Sequence, residues 1–182
     1  MSTASSGKSV SLLYGLLYGG VSIVFTVLLY LGGVKWFMSP VAYLGLIIPV
    51  LFAVVAAVQQ KKQQGDYLEF SEALKTTFLV LATGALISTV FDYVLFNYID
   101  VPFREALTQA SMEKMEKIFL KMGMPQDKID EETAKLMDKN NYTIGKLLLG
   151  FAFRCIGLFV LALIVAASVK KKRPMFENSF KQ

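Results

Sequence analysis

Four stretches of this 182-residue chain carry almost no charge, at 10–31, 41–58, 76–98 and 144–169. The hydrocarbon core of a bilayer is about 30 Å thick and takes roughly 20 apolar residues per helix. Even the shortest run, 18 residues long, reaches about 27 Å at 1.5 Å per residue. Peptide groups in hydrocarbon must find partners within their own segment, so each run is expected to be a helix. The expected fold class is all-α and integral to the membrane. It comprises one four-helix bundle over 1–182, with an extracytoplasmic amphipathic helical hairpin in the 100–143 loop between helices 3 and 4.

Composition removes the competing classes. Apolar and aromatic residues make up 54% of the chain and charged residues 18%, against about a quarter charged in soluble domains. That excludes a disordered tail and a soluble enzyme. Cys155 is the one cysteine, so a disulfide scaffold is excluded too. The chain has no histidine, which removes the commonest general base and metal ligand. No paired catalytic carboxylates, metal-ligand spacing or nucleophile constellation is present, and no cofactor is expected. The net charge of +5 comes largely from Lys170, Lys171, Lys172 and Arg173. They directly follow an apolar run, where a cytoplasmic flank and anionic-lipid contact are expected rather than nucleic-acid binding.

The first run is expected to stay in the protein: one lysine, Lys8, precedes it, it is about twice a signal-peptide core in length, and no cleavage pattern follows. Lysine and arginine totals tie between the two sides. The 170–173 cluster and Lys61–Lys62 abut helix ends, however, whereas Lys114, Lys117, Lys121 and Lys128 lie far along a loop. Proximity to the membrane governs orientation, so both termini are placed in the cytoplasm. Tyr30, Trp36, Phe37, Tyr93, Phe96, Tyr98, Phe103 and Tyr142 would then form an outer aromatic belt.

Two polar elements remain. Asp66 and Glu69 form a capping-box pattern for helix 3, with Ser71 as a later cap, and Tyr67, Leu68 and Phe70 are expected to face lipid. In the long loop, Leu107, Ala110, Met115, Ile118, Phe119 and Met122 recur at helical spacing. Gly123 is the expected stop and Pro125 the restart of a second helix running to about Lys139. This loop carries seven basic and nine acidic residues, so its helices need the bundle's outer end or a partner to cover their apolar stripe. Ser39 and Pro40 suit the start of helix 2, and Pro49 is expected to kink it near its middle.

Asp92 and Arg154 are charges inside apolar runs, where each costs at least about 2.5–3.5 kcal/mol by insertion scales. Counted from the expected outer boundaries, Asp92 lies about 9 Å deep and Arg154 about 10–15 Å deep. Ala85, Ser88 and Asp92 share one helix face, and Gly150, Arg154 and Gly157 share another, with small residues that permit close approach. These positions define a candidate intramembrane ion pair. Its bland reading fixes helix register; its functional reading is a substrate or proton path. Gly15 and Gly19 form a further small-residue pattern serving internal packing or dimerisation equally well. Asn97, Asp100 and Lys146 fall at the boundary, where polar residues are ordinary. Ser6-Gly7-Lys8-Ser9 imitates a phosphate loop, but Ser2 stands where a glycine is required. Asn141-Tyr142-Thr143 is a glycosylation sequon beside the membrane.

The stretch 68–75, LEFSEALK, and 91–98 leading into Ile99-Asp100 resemble a family of small four-helix inner-membrane proteins common in Bacteroidota and catalogued only as a domain of unknown function. The resemblance covers most of the chain. One departure is Val101, which intervenes where many members run directly from Ile-Asp to proline. It implies a bacterial inner membrane, no established activity, and a hint of a membrane glycosyltransferase as partner. Together these readings predict a non-enzymatic accessory or assembly subunit that contacts the bilayer, a membrane-protein partner and in some form its own copies, through the outer hairpin and the basic tail. The alternative is a small oligomeric transporter or channel using Asp92 and Arg154.

If the ion pair fixes helix register, Asp92→Asn lowers the melting temperature in detergent, and exchanging the two residues recovers part of the loss. Both variants melting like the wild type would remove the pair.

Overall fold

The computed structural model describes residues 3–137 and 144–171, with side chains over 10–134 and 144–171. The described residues are all-α, 89% of them helical, without strands. Its elements are α1 (Thr3–Leu31), a short α2 (Val34–Phe37), a 3-10 segment (Pro40–Leu46), α3 (Ile47–Gln63), α4 (Phe70–Val94), a π-helical turn (Leu95–Ile99), α5 (Val101–Lys121), α6 (Gln126–Met137) and α7 (Ile144–Val169). Four spans are long and apolar enough to cross a membrane: Val10–Leu31, Pro40–Gln63, Phe70–Ile99 and Ile144–Val169. Most of their large apolar side chains point outward, among them Leu12, Leu16, Leu51, Leu86, Phe153 and Ile164. In water so much exposed apolar surface would drive association; in a bilayer it is the lipid-facing side of a multi-pass membrane protein.

Two compact units are present, one formed by Met1–Ser22, Gly45–Ser88 and Arg154–Gln182, the other by Ile23–Leu44 and Thr89–Phe153. The first is organised by small residues. Ala53, Ala56 and Ala57 on α3, Ala73 and Ala85 on α4, and Ala162 and Ala166 on α7 are all fully buried. Lipid offers no hydrophobic drive for helix association, so close backbone approach and dispersion contacts must hold helices together. Tyr18 of α1, 2% exposed, is seated against Gly84 of α4, its ring 6.1 Å from that of Phe52. Val10, Ala56 and Val80 form a further core, flanked by Tyr14 and Phe52. Polar ties add to this: the Thr76 hydroxyl donates to Gln60 Oε1, and the Thr77 hydroxyl lies 3.4 Å from the Ala162 carbonyl while bonding Ala73 O at 2.8 Å.

The link between α3 and α4 differs from the expected capping box. Gly65 (φ 74°) and Asp66 (φ 66°) are both left-handed, and their N–H groups return to the carbonyls of Lys62 and Lys61 at 3.3 and 3.0 Å. This is a Schellman closure of α3, in which an aspartate tolerates the left-handed region better than most residues. Asp66 therefore ends one helix rather than starting the next. The first intrahelical acceptor of α4 is the Glu69 carbonyl, bonded by Ala73 N at 2.9 Å. Leu68, expected to face lipid, is buried and pairs in both directions with Lys171. Pro49 also moves: it is the third residue of α3 rather than a mid-helix kink. A helix's first N–H groups lack intrahelical acceptors, so a proline there removes no bond, and the preceding span runs as the tighter 3-10 form.

In the second unit, Ser39 receives the Val41 N–H at 3.2 Å, as expected of a cap. Gly123 (φ 75°) ends α5 as anticipated, with Met124 N bonded to Phe119 O at 3.0 Å. The Pro125 carbonyl accepts from Lys128 and Ile129 at the start of α6. Within the apolar stripe of α5, Leu107, Ala110, Met115 and Phe119 are half-buried, while Ile118 and Met122 are exposed. Ile129 of α6 is fully buried. The side chains of Leu136 and Met137, residues 138–143 with the sequon, and Lys172 onward lie outside the described residues.

An added methyl at Gly84 would occupy the space of the Tyr18 ring. Gly84→Ala should lower the melting temperature by the equivalent of about 1–3 kcal/mol of overpacking, although alanine is the better helix former by about 1 kcal/mol. In a Tyr18→Ala background the same substitution should become neutral or stabilising.

Candidate functional site

Among the described residues no group of three His, Cys, Asp or Glu is placed to hold a metal. What the fold does build are two polar–aromatic centres, one in each unit.

The first centre lies where α4 gives way to α5 in the second unit. The π-helical turn closes with Asp100 N bonded to Leu95 O at 2.9 Å. Asp100 then caps α5: its Oδ1 accepts from Phe103 N at 2.9 Å, with Pro102 in the first helical turn. Its other oxygen accepts from the Tyr30 hydroxyl at 2.7 Å. Phe103 touches three rings, those of Tyr30 at 4.9 Å, Phe37 at 5.6 Å and Phe96 at 6.1 Å. Arg104 Nη1 donates to Asn97 Oδ1 at 2.9 Å, and Asn97 Nδ2 donates to the Tyr93 carbonyl at 3.0 Å. Farther along α5, Lys114 Nζ approaches the Met38 carbonyl at 3.4 Å. Asn97 and Asp100 are thus specific fasteners of α5, not incidental boundary residues. The Tyr30 hydroxyl, followed by the Phe103 N–H, holds the Asp100 carboxyl below the usual carboxylate range.

The second centre lies in the first unit, where α3 ends, α4 begins and α7 ends. Lys61 Nζ donates to the Val169 carbonyl at 3.1 Å, satisfying one orphan acceptor at the end of α7. Leu68 N bonds Lys171 O at 2.9 Å and Lys171 N bonds Leu68 O at 2.8 Å. Lys170 Nζ stands 5.7 Å from the centre of the Phe70 ring, and Lys171 Nζ 5.5 Å from that of Tyr67. Both are within cation–π range.

The residues singled out from the sequence fall as follows. A Cβ at Gly15 would press on Thr83, and one at Gly19 on Ile87, so both glycines sit in helix contacts of the first unit. Ala85 and Ser88 are buried on α4, the Ser88 hydroxyl bonding Ala85 O at 3.1 Å. A Cβ at Gly150 or Gly157 would meet nothing within 4 Å. Asp92 is half-buried in the second unit, and Arg154 is exposed on α7 in the first. Lys170 and Lys171 belong to the basic–aromatic centre; Lys172 and Arg173 lie outside the described residues. Sequence reading missed the Tyr30–Asp100 bond and the ring partners of Lys170 and Lys171. An aspartate two residues before a proline is itself a helix-start signal, but its distant tyrosine leaves no local pattern.

A family model described as "Protein of unknown function (DUF4199)" matches residues 13–171. No curated protein and no solved structure matches the chain.

Because its folded-state pKa is depressed, Asp100 contributes stability above the unfolded carboxylate value of about 3.9 and loses it as pH falls through the lower folded value. The melting temperature in detergent should therefore drop on acidification. Asp100→Asn, which keeps a capping oxygen, should flatten that acid limb. An unchanged limb would assign it to other carboxylates.

Proposed function

Since the chain belongs to the DUF4199 family, which the match over 13–171 shows, and carries four membrane-length apolar helices, we propose that it is a non-enzymatic accessory or assembly subunit of a bacterial inner membrane. In this reading both termini are cytoplasmic, and α5 with α6 forms a helical hairpin on the outer side. The hairpin and the basic tail are its contact surfaces, and the partner is another membrane protein.

One observation carries this reading. α5 is fastened at its start by Asp100, Phe103 and Arg104, yet its far end presents Ile118 (46% exposed), Leu120 (51%) and Met122 (72%). A polar loop that served only to connect two spans would not need an anchored helix ending in exposed apolar side chains. Methionine among them suits a surface that adapts to a partner. The absence of histidine from the sequence agrees with a role other than acid–base chemistry.

Affinity purification in a mild detergent tests the reading. A stoichiometric membrane-protein partner should accompany the wild type and be lost from an Ile118→Ser, Leu120→Ser, Met122→Ser variant that still melts normally. A wild type that purifies alone overturns the proposal, as does a partner retained by the triple variant. Proton or solute flux in liposomes that depends on Asp92 would transfer support to the transporter reading.

A further inference from the structure

We propose that the basic–aromatic end of the first unit binds the headgroup phosphate of an anionic phospholipid. The inference rests on the membrane reading above, and it stands without the protein partner. Lys61 and Lys62 occupy the last turn of α3, and Lys170 and Lys171 directly follow α7. The paired backbone bonds between Leu68 and Lys171 hold the chain leaving α7 against the link between α3 and α4. Without that bridge the end of α7 would be an unanchored basic tail.

The charges are positioned without being neutralised. Lys61 is committed to the Val169 carbonyl and offsets the negative end of the α7 dipole. Lys170 and Lys171 lie over Phe70 and Tyr67, and a cation over a ring keeps its full charge and its remaining donors. Asp66, Glu69 and Glu72 are nearby in sequence, yet among the described residues none forms an ion pair within 4.0 Å with Lys62, Lys170 or Lys171. Lys170 and Lys171 thus keep their charges open at this end of the unit, where the exposed Lys62 adds a third.

Depth selects the ligand. Two candidate spans end at Gln63 and Val169 and a third begins at Phe70, so these lysines and rings stand at headgroup level on one membrane face. Toward the hydrocarbon the same helices expose Val58 and Ile164, apolar surface on which acyl chains can lie. Basic groups held between membrane helices at this level are suited to anionic headgroups, and tyrosine and phenylalanine rings are at home in the same layer. A free phosphate would use the lysines but not the apolar surface beneath them.

Native mass spectrometry of the detergent-solubilised full chain, titrated with phosphatidylglycerol and with phosphatidylcholine of identical acyl chains, tests the proposal. Phosphatidylglycerol should bind preferentially. At about fivefold per juxtamembrane charge, Lys62→Gln should weaken it about fivefold, and Lys62→Gln, Lys170→Gln, Lys171→Gln together about a hundredfold. Phosphatidylcholine should be unaffected, and the corresponding arginine variants should retain the preference. Lys62 is exposed, so its single variant gives an answer even if the triple variant fails to fold. Equal binding of the two lipids, undiminished phosphatidylglycerol binding in Lys62→Gln, or displacement of the lipid by equimolar inorganic phosphate would each overturn the site. Loss of the protein partner in the α5 variant, with lipid preference intact, would instead fault the assembly reading alone.

Discussion

A helix end leaves backbone N–H and C=O groups without intrahelical partners, and among the described residues several ends of this chain are closed by specific contacts. The end of α3 is closed by Gly65 and Asp66, and the end of α5 by Gly123 and Met124. The end of α7 receives the Lys61 ammonium, a side chain from another helix. The third span widens into a π-helical turn that hands its last N–H bond to Asp100, which in turn opens α5. Even the isolated pairing of Leu68 with Lys171 serves the same end, since it satisfies backbone groups on two segments that have just left their helices. Among the described residues many of the specific polar contacts gather at helix ends, because the backbone groups there lack intrahelical partners.

Between those ends, cohesion comes from shape. Buried alanines on α3, α4 and α7 bring backbones close, and Gly15, Gly19 and Gly84 admit Thr83, Ile87 and Tyr18. A larger side chain at these positions would exchange a helix contact for a lipid contact of similar dispersion energy and lose the fit. Among the buried polar side chains, Thr77 and Ser88 bond carbonyls of their own helix, and Thr76 bonds Gln60. The Thr76–Gln60 bond joins α4 to α3 and ties their register. The outward surface, by contrast, is a nearly uniform coat of leucine, isoleucine and valine that lipid can cover without specific contacts.

Much of this was legible in the sequence wherever one physical rule acts locally. The four spans follow from apolar length alone, and their observed bounds differ from expectation by a few residues: the third begins at Phe70 rather than at 76. The stop at Gly123 and the cap at Ser39 are local chemistry and were readable. Asp66 misled because an acidic residue three positions before a glutamate fits a helix start, whereas a glycine–aspartate pair after a helix fits its end equally well. Pro49 misled for a related reason. A proline within an apolar run marks a discontinuity, but the pattern does not say whether the α-helix breaks around it or begins just before it.

The sequence by itself determined that this chain is helical, carries four runs long and apolar enough to cross a membrane, and has a separate polar helical segment, because transfer free energy and helix geometry depend on nothing beyond the residues of each run. Tertiary structure decided which small residues become contacts and which lie open, since Gly15 and Gly150 are indistinguishable in pattern but not in surroundings. It also decided that Asp100 answers to Tyr30 and that Lys170 and Lys171 rest on Phe70 and Tyr67. Those partners lie 70 residues apart in the first case and on distant segments of the chain in the second, and no periodicity along a chain encodes which rings and charges its folding will bring within hydrogen-bond or cation–π reach.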